Sequence, residues 1–266
     1  SGKAILISED TMKGNDGYHY TYLDFNKFWS VVAKGTPILK SFAEKSPSVA
    51  KLKKKVDFSW YKDGKKEYTI KTKEQLLGFA MMSASDTFEG KTIKLGADIK
   101  LNDGNASDWA NTAPENVWTP VGNITSGNVS MFQGTFDGQG HIISGMYAKG
   151  TSCVGLFGIV GVKGLVKNLK LANSYIVNEN KEADSWGITG SVVGQLRGKL
   201  DTIYVDSTVT VTSQSLYTGG VAGMTRDNTT ISNCWSAAYV KGIAITGGIV
   251  GTLTQIGRAV QQECRD

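Results

Sequence analysis

Gly219-Gly220-Val221-Ala222-Gly223 and Gly247-Gly248-Ile249-Val250-Gly251 are two copies of one five-residue block. Gly190-Ser191-Val192-Val193-Gly194 and Val154-Gly155-Leu156-Phe157-Gly158 repeat the pattern upstream. The closing glycines stand at 158, 194, 223 and 251, so the spacings are 36, 29 and 28 residues. A period near thirty marks a repeat architecture, in which each unit buries its apolar face only against its neighbours. A second unit follows the first three blocks: Leu169-Lys170-Leu171, Ile203-Tyr204-Val205 and Cys234-Trp235-Ser236. A third apolar stretch leads back to the next block, as Val209-Thr210-Val211-Thr212 and Tyr239-Val240.

Each period therefore holds about three strand-like runs, separated by Gly, Asn, Asp and Ser. Between residues 185 and 255 no segment keeps a 3.6-residue apolar rhythm, which excludes a helical solenoid. Thr, Val, Ile and Tyr alternate with polar residues instead, as in Asp206 to Thr212. The pattern predicts an all-β parallel β-helix whose inward side chains, Val193, Val221 and Ile249 among them, form one ladder. The block glycines are expected to supply positive φ at corners and close approach between coils. Thr72-Lys73-Glu74-Gln75 has capping-box spacing, and predicts a short helix from about 73 to 83 that covers the first coil. Strands are expected at Thr92 to Leu95, around Phe132 to Phe136, and at Ile142-Ile143, with a turn at Asp137-Gly138-Gln139-Gly140.

Composition excludes several classes. Glycine is 32 of 266 residues and proline only 4, with no three-residue period, so the chain is neither collagenous nor a disordered linker. The apolar runs are short and broken by glycine or charge, so none suits membrane insertion. Formal charge is +5, part of it in Lys51, Lys53, Lys54 and Lys55. No basic stripe interleaved with aromatics accompanies it, so nucleic acid is not an expected partner. Cys153, Cys234 and Cys264 are far apart and odd in number, which suggests buried thiols, not a disulfide framework or metal site.

In order, the segments Phe88 to Ile99, Trp118-Thr119-Pro120-Val121-Gly122, Phe132 to His141 and Gly155-Leu156-Phe157-Gly158 resemble bacterial surface proteins carrying the GLUG motif. These include β-helical regions found near IgA-protease-like peptidases. The resemblance spans roughly residues 58 to 255 and implies a right-handed parallel β-helix on a secreted or cell-surface protein, with no established catalytic residues. Leu23-Asp24-Phe25 through Leu39-Lys40 is similar to the closing strands of such a module. Residues 1–43 thus read as the end of a preceding β-helix or as an end-packing segment. Residues 44–56 read as a linker, and 57–266 as the main β-helix, stopping mid-coil.

Chemistry is sparse in this reading. The chain has two histidines, His19 and His141, and no HExxH, GxSxG or phosphate-loop pattern. His141 reads as a corner residue bonded to its own loop. Asp201, Asp206 and Asp227 find no second acid at a matching offset, as glycoside hydrolysis would require. Asp98 and Asp137 read as turn caps. Asn102 to Asp108 alternates oxygen-bearing side chains, but Asp108 and Pro114 stand where an EF-hand needs Gly and Glu, so no metal or other cofactor is expected. The insertion from Asn102 to Ser130 supplies the ligand-binding candidates Asp103, Asp108 and Trp109, with Trp186 in a second loop. Trp109 is either a sugar-stacking ring or its own loop's anchor, and the anchor is the commoner case. The repeated coils, the absent catalytic constellations and the family resemblance together favour a non-catalytic adhesive scaffold or stalk, with host glycan or glycoprotein and sister domains as partners. A carbohydrate-binding or carbohydrate-active β-helix is the alternative.

Overall fold

The computed structural model describes residues 56–253 except 63, 126–127, 182–186 and 227, together with the backbone of 29–32 and 35–39. It is an all-β chain with few helices, and its main sheets are built from parallel strands. Four ladders carry the repeat. The first runs through Glu67–Ile70, Thr92–Leu95, Thr135–Asp137, Leu165–Ala172, Lys199–Val205 and Thr230–Ser232. The second runs through Val117–Trp118, Tyr147–Gly150, Ser174–Asn178, Val209–Ser213 and Tyr239–Lys241. The third joins Cys153–Val154, Ile188–Gly190, Tyr217–Gly219 and Ile245–Gly247. The fourth joins Phe157–Val160, Val193–Leu196, Ala222–Thr225 and Val250–Leu253.

Register places like residues above one another. Tyr68, Ile93, Phe136, Val166 and Leu200 align in the first ladder, and Trp118, Ala148, Ile176 and Val211 in the second. All nine are buried in one apolar cluster that draws on all four ladders. Strand alternation explains this, since every second residue faces the same side.

Two expectations need correction. Each period contains four strand segments, because the middle of the glycine block is a bend: its first residue ends a third-ladder strand and its fourth begins a fourth-ladder strand. A Cβ on Gly190 would lie 2.2 Å from Val193 O, and one on Gly219 would lie 2.0 Å from Ala222 O. The chain therefore doubles back within the block, with no room for a side chain at Gly190 or Gly219. The strands so produced pass face to face: a Cβ on Gly223 would lie 2.7 Å from both Ile188 Cγ2 and Thr189 N. Close approach, not positive φ, is what selects the block glycines other than Gly248, since none of them has positive φ.

The second correction concerns the predicted ladder. Val221 N–H donates to Ile249 O at 2.9 Å, and Val192 N–H donates to Val221 O at 3.0 Å. Val192, not Val193, stacks with Val221 and Ile249. Val193 pairs with Ala222, which pairs with Val250. Val192, Val193 and Val221 are all buried, and Ile249 packs on the same cluster. Both valines face the core because the bend lies beside them and breaks alternation.

Helix α1 (Lys73–Met82) matches its expected span. Gln75 N–H donates to Thr72 Oγ1 at 3.2 Å, but the reciprocal bond shifts by one residue, since Gln75 Oε1 accepts from Lys71 N–H at 2.8 Å. Leu76 and Phe79 are buried in the main cluster. The Phe79 ring stacks on Phe136 with centroids 5.7 Å apart, so the helix fills the interior beside the first rungs. Upstream, Trp29–Val32 and Gly35–Leu39 pair antiparallel. The rest of residues 1–43, the linker residues up to 55, and the expected mid-coil ending at 260–266 lie outside the described residues.

Apart from the insertion after Leu101, the later periods differ in length mainly at one turn. Ten positions separate Asn178 from Ile188, whereas four separate their register partners Ser213 and Tyr217. Among the described residues, no helix is long and apolar enough to cross a membrane.

Candidate functional site

The insertion after Leu101 folds over the outer face of the second ladder. Its ends are clamped by Asn102, whose Nδ2 donates to Asn116 O and Gly145 O at 2.8 Å and whose Oδ1 accepts from Asn116 N–H at 2.9 Å. Gly145 permits that approach, having φ +71° and Asn102 O only 2.4 Å from where a Cβ would sit. The middle is pinned to the next rung: Ala106 N–H donates to Asn173 Oδ1, and Asn173 Nδ2 donates to Gly104 O, both at 2.9 Å. Between these anchors Ala106–Ala110 forms a 3-10 helix where the sequence suggested an ordinary polar loop.

That helix buries Trp109. The indole is 5% exposed and packs edge-on to Tyr147, centroids 6.3 Å apart. Ala106, Trp109 and Tyr147 form an outer apolar cluster, with Tyr175 and Val177 against it. Trp109 thus stands where an anchor stands, and stacking on a sugar would need a ring face that is covered. Trp118 is a core residue whose Nε1 donates to Leu156 O at 3.0 Å.

A cleft of about 400 Å³ opens beside the insertion, lined by Lys73, Lys100, Asn102, Asp103, Asp108, Trp109, Glu115 and Asn116 among others. It gathers three of the sequence candidates, Asp103, Asp108 and Trp109. Lys73, Lys100 and Glu115 were not anticipated, because nothing in the local sequence places the start of α1 beside this loop. Lys100 Nζ lies 2.8 Å from Asp103. The Lys100 hydrogen bond, and then its charge, holds the Asp103 carboxyl below its usual range. Asp103 is therefore an acceptor for hydroxyl or ammonium groups and poorly suited to donate a proton. Among the described residues no group of three or more His, Cys, Asp or Glu side chains gathers to hold a metal ion.

The other singled-out residues are dispersed. Trp186 and Asp227 lie outside the described residues. His141 bonds not to its own loop but to the preceding rung, with Nδ1 3.0 Å from Asp98 Oδ1. Asp98 also accepts Ile142 N–H at 3.0 Å, and this backbone bond, then His141, lowers its pKa. Asp137 caps its turn, accepting Gln139 N–H and Asn168 Nδ2 at 3.0 Å. Asp137 and Asp201 do share one ladder position, but Lys167 stands on the rung between them. Asp206 accepts from Thr208 and caps a turn. Sequence reading passed over an outward pair, Tyr204 and Trp235, whose rings stack with centroids 4.3 Å apart.

No family model matches the chain. It is 34% identical over 91 residues to a glycine-rich protein of Evansella cellulosilytica described as a membrane protein, covering 34% of this chain and 10% of that one. It is 28% identical over 166 residues to Halomucin of Haloquadratum walsbyi, covering 62% of this chain and 2% of that one. The chain thus spans a tenth or less of either relative. Among solved structures, an immunoglobulin A1 protease-like protein from Bacteroides ovatus aligns with a TM-score of 0.36 at 15% identity, covering 71% of this chain and 72% of that one.

Proposed function

We propose that this chain is a GLUG-type right-handed parallel β-helix serving as a non-catalytic module of a bacterial cell-surface or secreted protein. Its role is a rigid stalk or adhesive scaffold, acting beside other domains of the same protein. The observation that carries this reading is the set of four parallel ladders, each returning to the same chain position once per period and feeding one apolar interior. The carboxylates support it too, since Asp98, Asp137, Asp201 and Asp206 are engaged in turn and rung contacts. A relative described as a membrane protein fits a surface setting.

A glycoprotein and glycan array tests the adhesive form. Retention of a host glycoprotein or glycan supports adhesion, and uniform absence leaves the stalk role alone. Release of reducing ends or unsaturated sugars from any polysaccharide overturns the non-catalytic assignment. The cleft beside Asp103 favours a second reading, a carbohydrate-binding or carbohydrate-active protein. Its check is loss of glycan retention or turnover in Asp103→Asn together with Asp108→Asn.

A further inference from the structure

The outer face of the fourth ladder ends in two arginines. Leu196 pairs with Thr225, so the residues that follow, Arg197 and Arg226, hold the same position on adjacent rungs, about 4.8 Å apart along the ladder. Arg197 N–H donates to Val160 O and Arg226 N–H to Leu196 O, both at 2.8 Å, which fixes the stack. Both side chains are half-buried. Both guanidinium charges act on the Cys153 thiol, which belongs to a separate apolar cluster with Ile159, Ile188 and Met224.

Two observations distinguish this pair from ordinary surface cations. Arg226 Nε is buried with no hydrogen-bond partner among the described residues. Among the described residues no carboxylate pairs with either guanidinium, whereas seven ion pairs engage lysines or His141. Arg197 Nε donates instead to Oε1 of Gln195 at 2.9 Å, and Gln195 is fully buried. A rigid neutral amide thus orients one fork, and no described carboxylate compensates its charge. Two like charges held one rung apart against an apolar floor repel each other and lose hydration. A shared oxoanion removes both penalties, because guanidinium forks match the paired oxygens of sulfate, phosphate or carboxylate.

We propose that Arg197 and Arg226 form an oxoanion-binding site on the outer face of the fourth ladder. The chemistry is common to free sulfate and to the sulfate groups of an acidic polysaccharide. The site rests on the pairing of two strands and goes beyond the scaffold reading, so either can fail alone. The test is thermal unfolding of the full chain in sodium sulfate against sodium chloride at equal ionic strength. Electrophoresis through gels containing dextran sulfate or neutral dextran runs beside it. Sulfate is expected to raise the melting temperature of the wild type above any rise in Arg197→Gln and Arg226→Gln. Arg226→Met, which keeps the apolar stem, should melt higher than the wild type in chloride alone and gain nothing specific from sulfate. Retardation by dextran sulfate that falls at least tenfold in both Gln variants assigns the site to a polymer-borne sulfate. A variant-sensitive sulfate shift without such retardation assigns it to the free ion. Equal sulfate shifts in wild type and variants, or retardation that survives both substitutions, overturn the proposal.

Discussion

Thr202 holds a left-handed backbone, φ 56°, although β-branched residues strongly disfavour it. The positions above and below it in the ladder are Asn168 and Asn233, with φ 53° and 54°. Asparagine tolerates this region far better. Thr202→Asn should therefore stabilise the chain by on the order of 1 kcal/mol, read as a higher melting temperature. An unchanged or lower value would remove the strain argument. Val221 is the opposite case, being fully buried between Val192 and Ile249. Val221→Asp should cost several kcal/mol, because the carboxylate loses hydration and gains no partner. Unchanged melting would count against the assigned inward face. The two residues were not equally legible. Val221 announces itself through a repeated block, whereas Thr202 sits among outward polar residues where alternation carries no information about φ.

At the scale of elements, α1 was readable because its signal is local. Thr72 and Gln75 lie three apart, and the apolar residues follow at once. Thr72→Ala should cost about 1 kcal/mol, seen as a lower denaturation midpoint with an unchanged denaturant slope. The glycine blocks were readable as a repeat but not as bends, because apolar residues between glycines suit a strand equally well. Face-to-face strands become visible only when Gly223 meets Ile188 and Thr189, more than thirty residues upstream. Gly223→Ala should destabilise by about 1–3 kcal/mol through overpacking. Gly248→Ala, with nothing within 4 Å of the new carbon, should stay within about 0.5 kcal/mol of wild type. Equal effects in the two would refute the face-to-face packing. The candidate cleft was only half legible. Its carboxylates and Trp109 lie in one loop, but the bond that fixes that loop comes from Asn173 on a later rung.

For the whole molecule, electrostatics sets a pH window. Asp137 is buried, which alone raises its pKa, yet the bonds from Asn168 and Gln139 and the Lys167 ammonium outweigh this and hold it low. Asp57, Asp98, Asp201 and Asp206 are lowered as well. Depressed carboxyls contribute stability above their unfolded pKa, roughly 3.9. That contribution disappears as pH falls through the folded values. At the other end, burial pushes the Cys153 thiol to about 12 and the Cys234 thiol to about 11, and burial is also the leading cause that lifts Tyr61 to about 12. These groups are stabilised in their neutral forms. Their contribution is full below the unfolded values near 8.5 and 10 and declines as pH rises through the folded ones. Melting temperature should therefore be flat from about pH 5 to 8 and fall on both sides, the acid limb less steeply in Asp137→Asn. A melting temperature that keeps rising below pH 4 would contradict the assigned carboxylate contacts.

The uneven turn between the second and third ladders has a practical consequence. Register survives on either side whether that turn uses ten positions or four, so ladder pairing is indifferent to what is spliced there. The bend at Gly219–Gly223 offers no such freedom, since a single methyl on Gly219, Gly220 or Gly223 already collides with backbone. A foreign epitope grafted between Ser213 and Tyr217 should leave the framework intact, whereas the same graft within Gly219–Gly223 should abolish it.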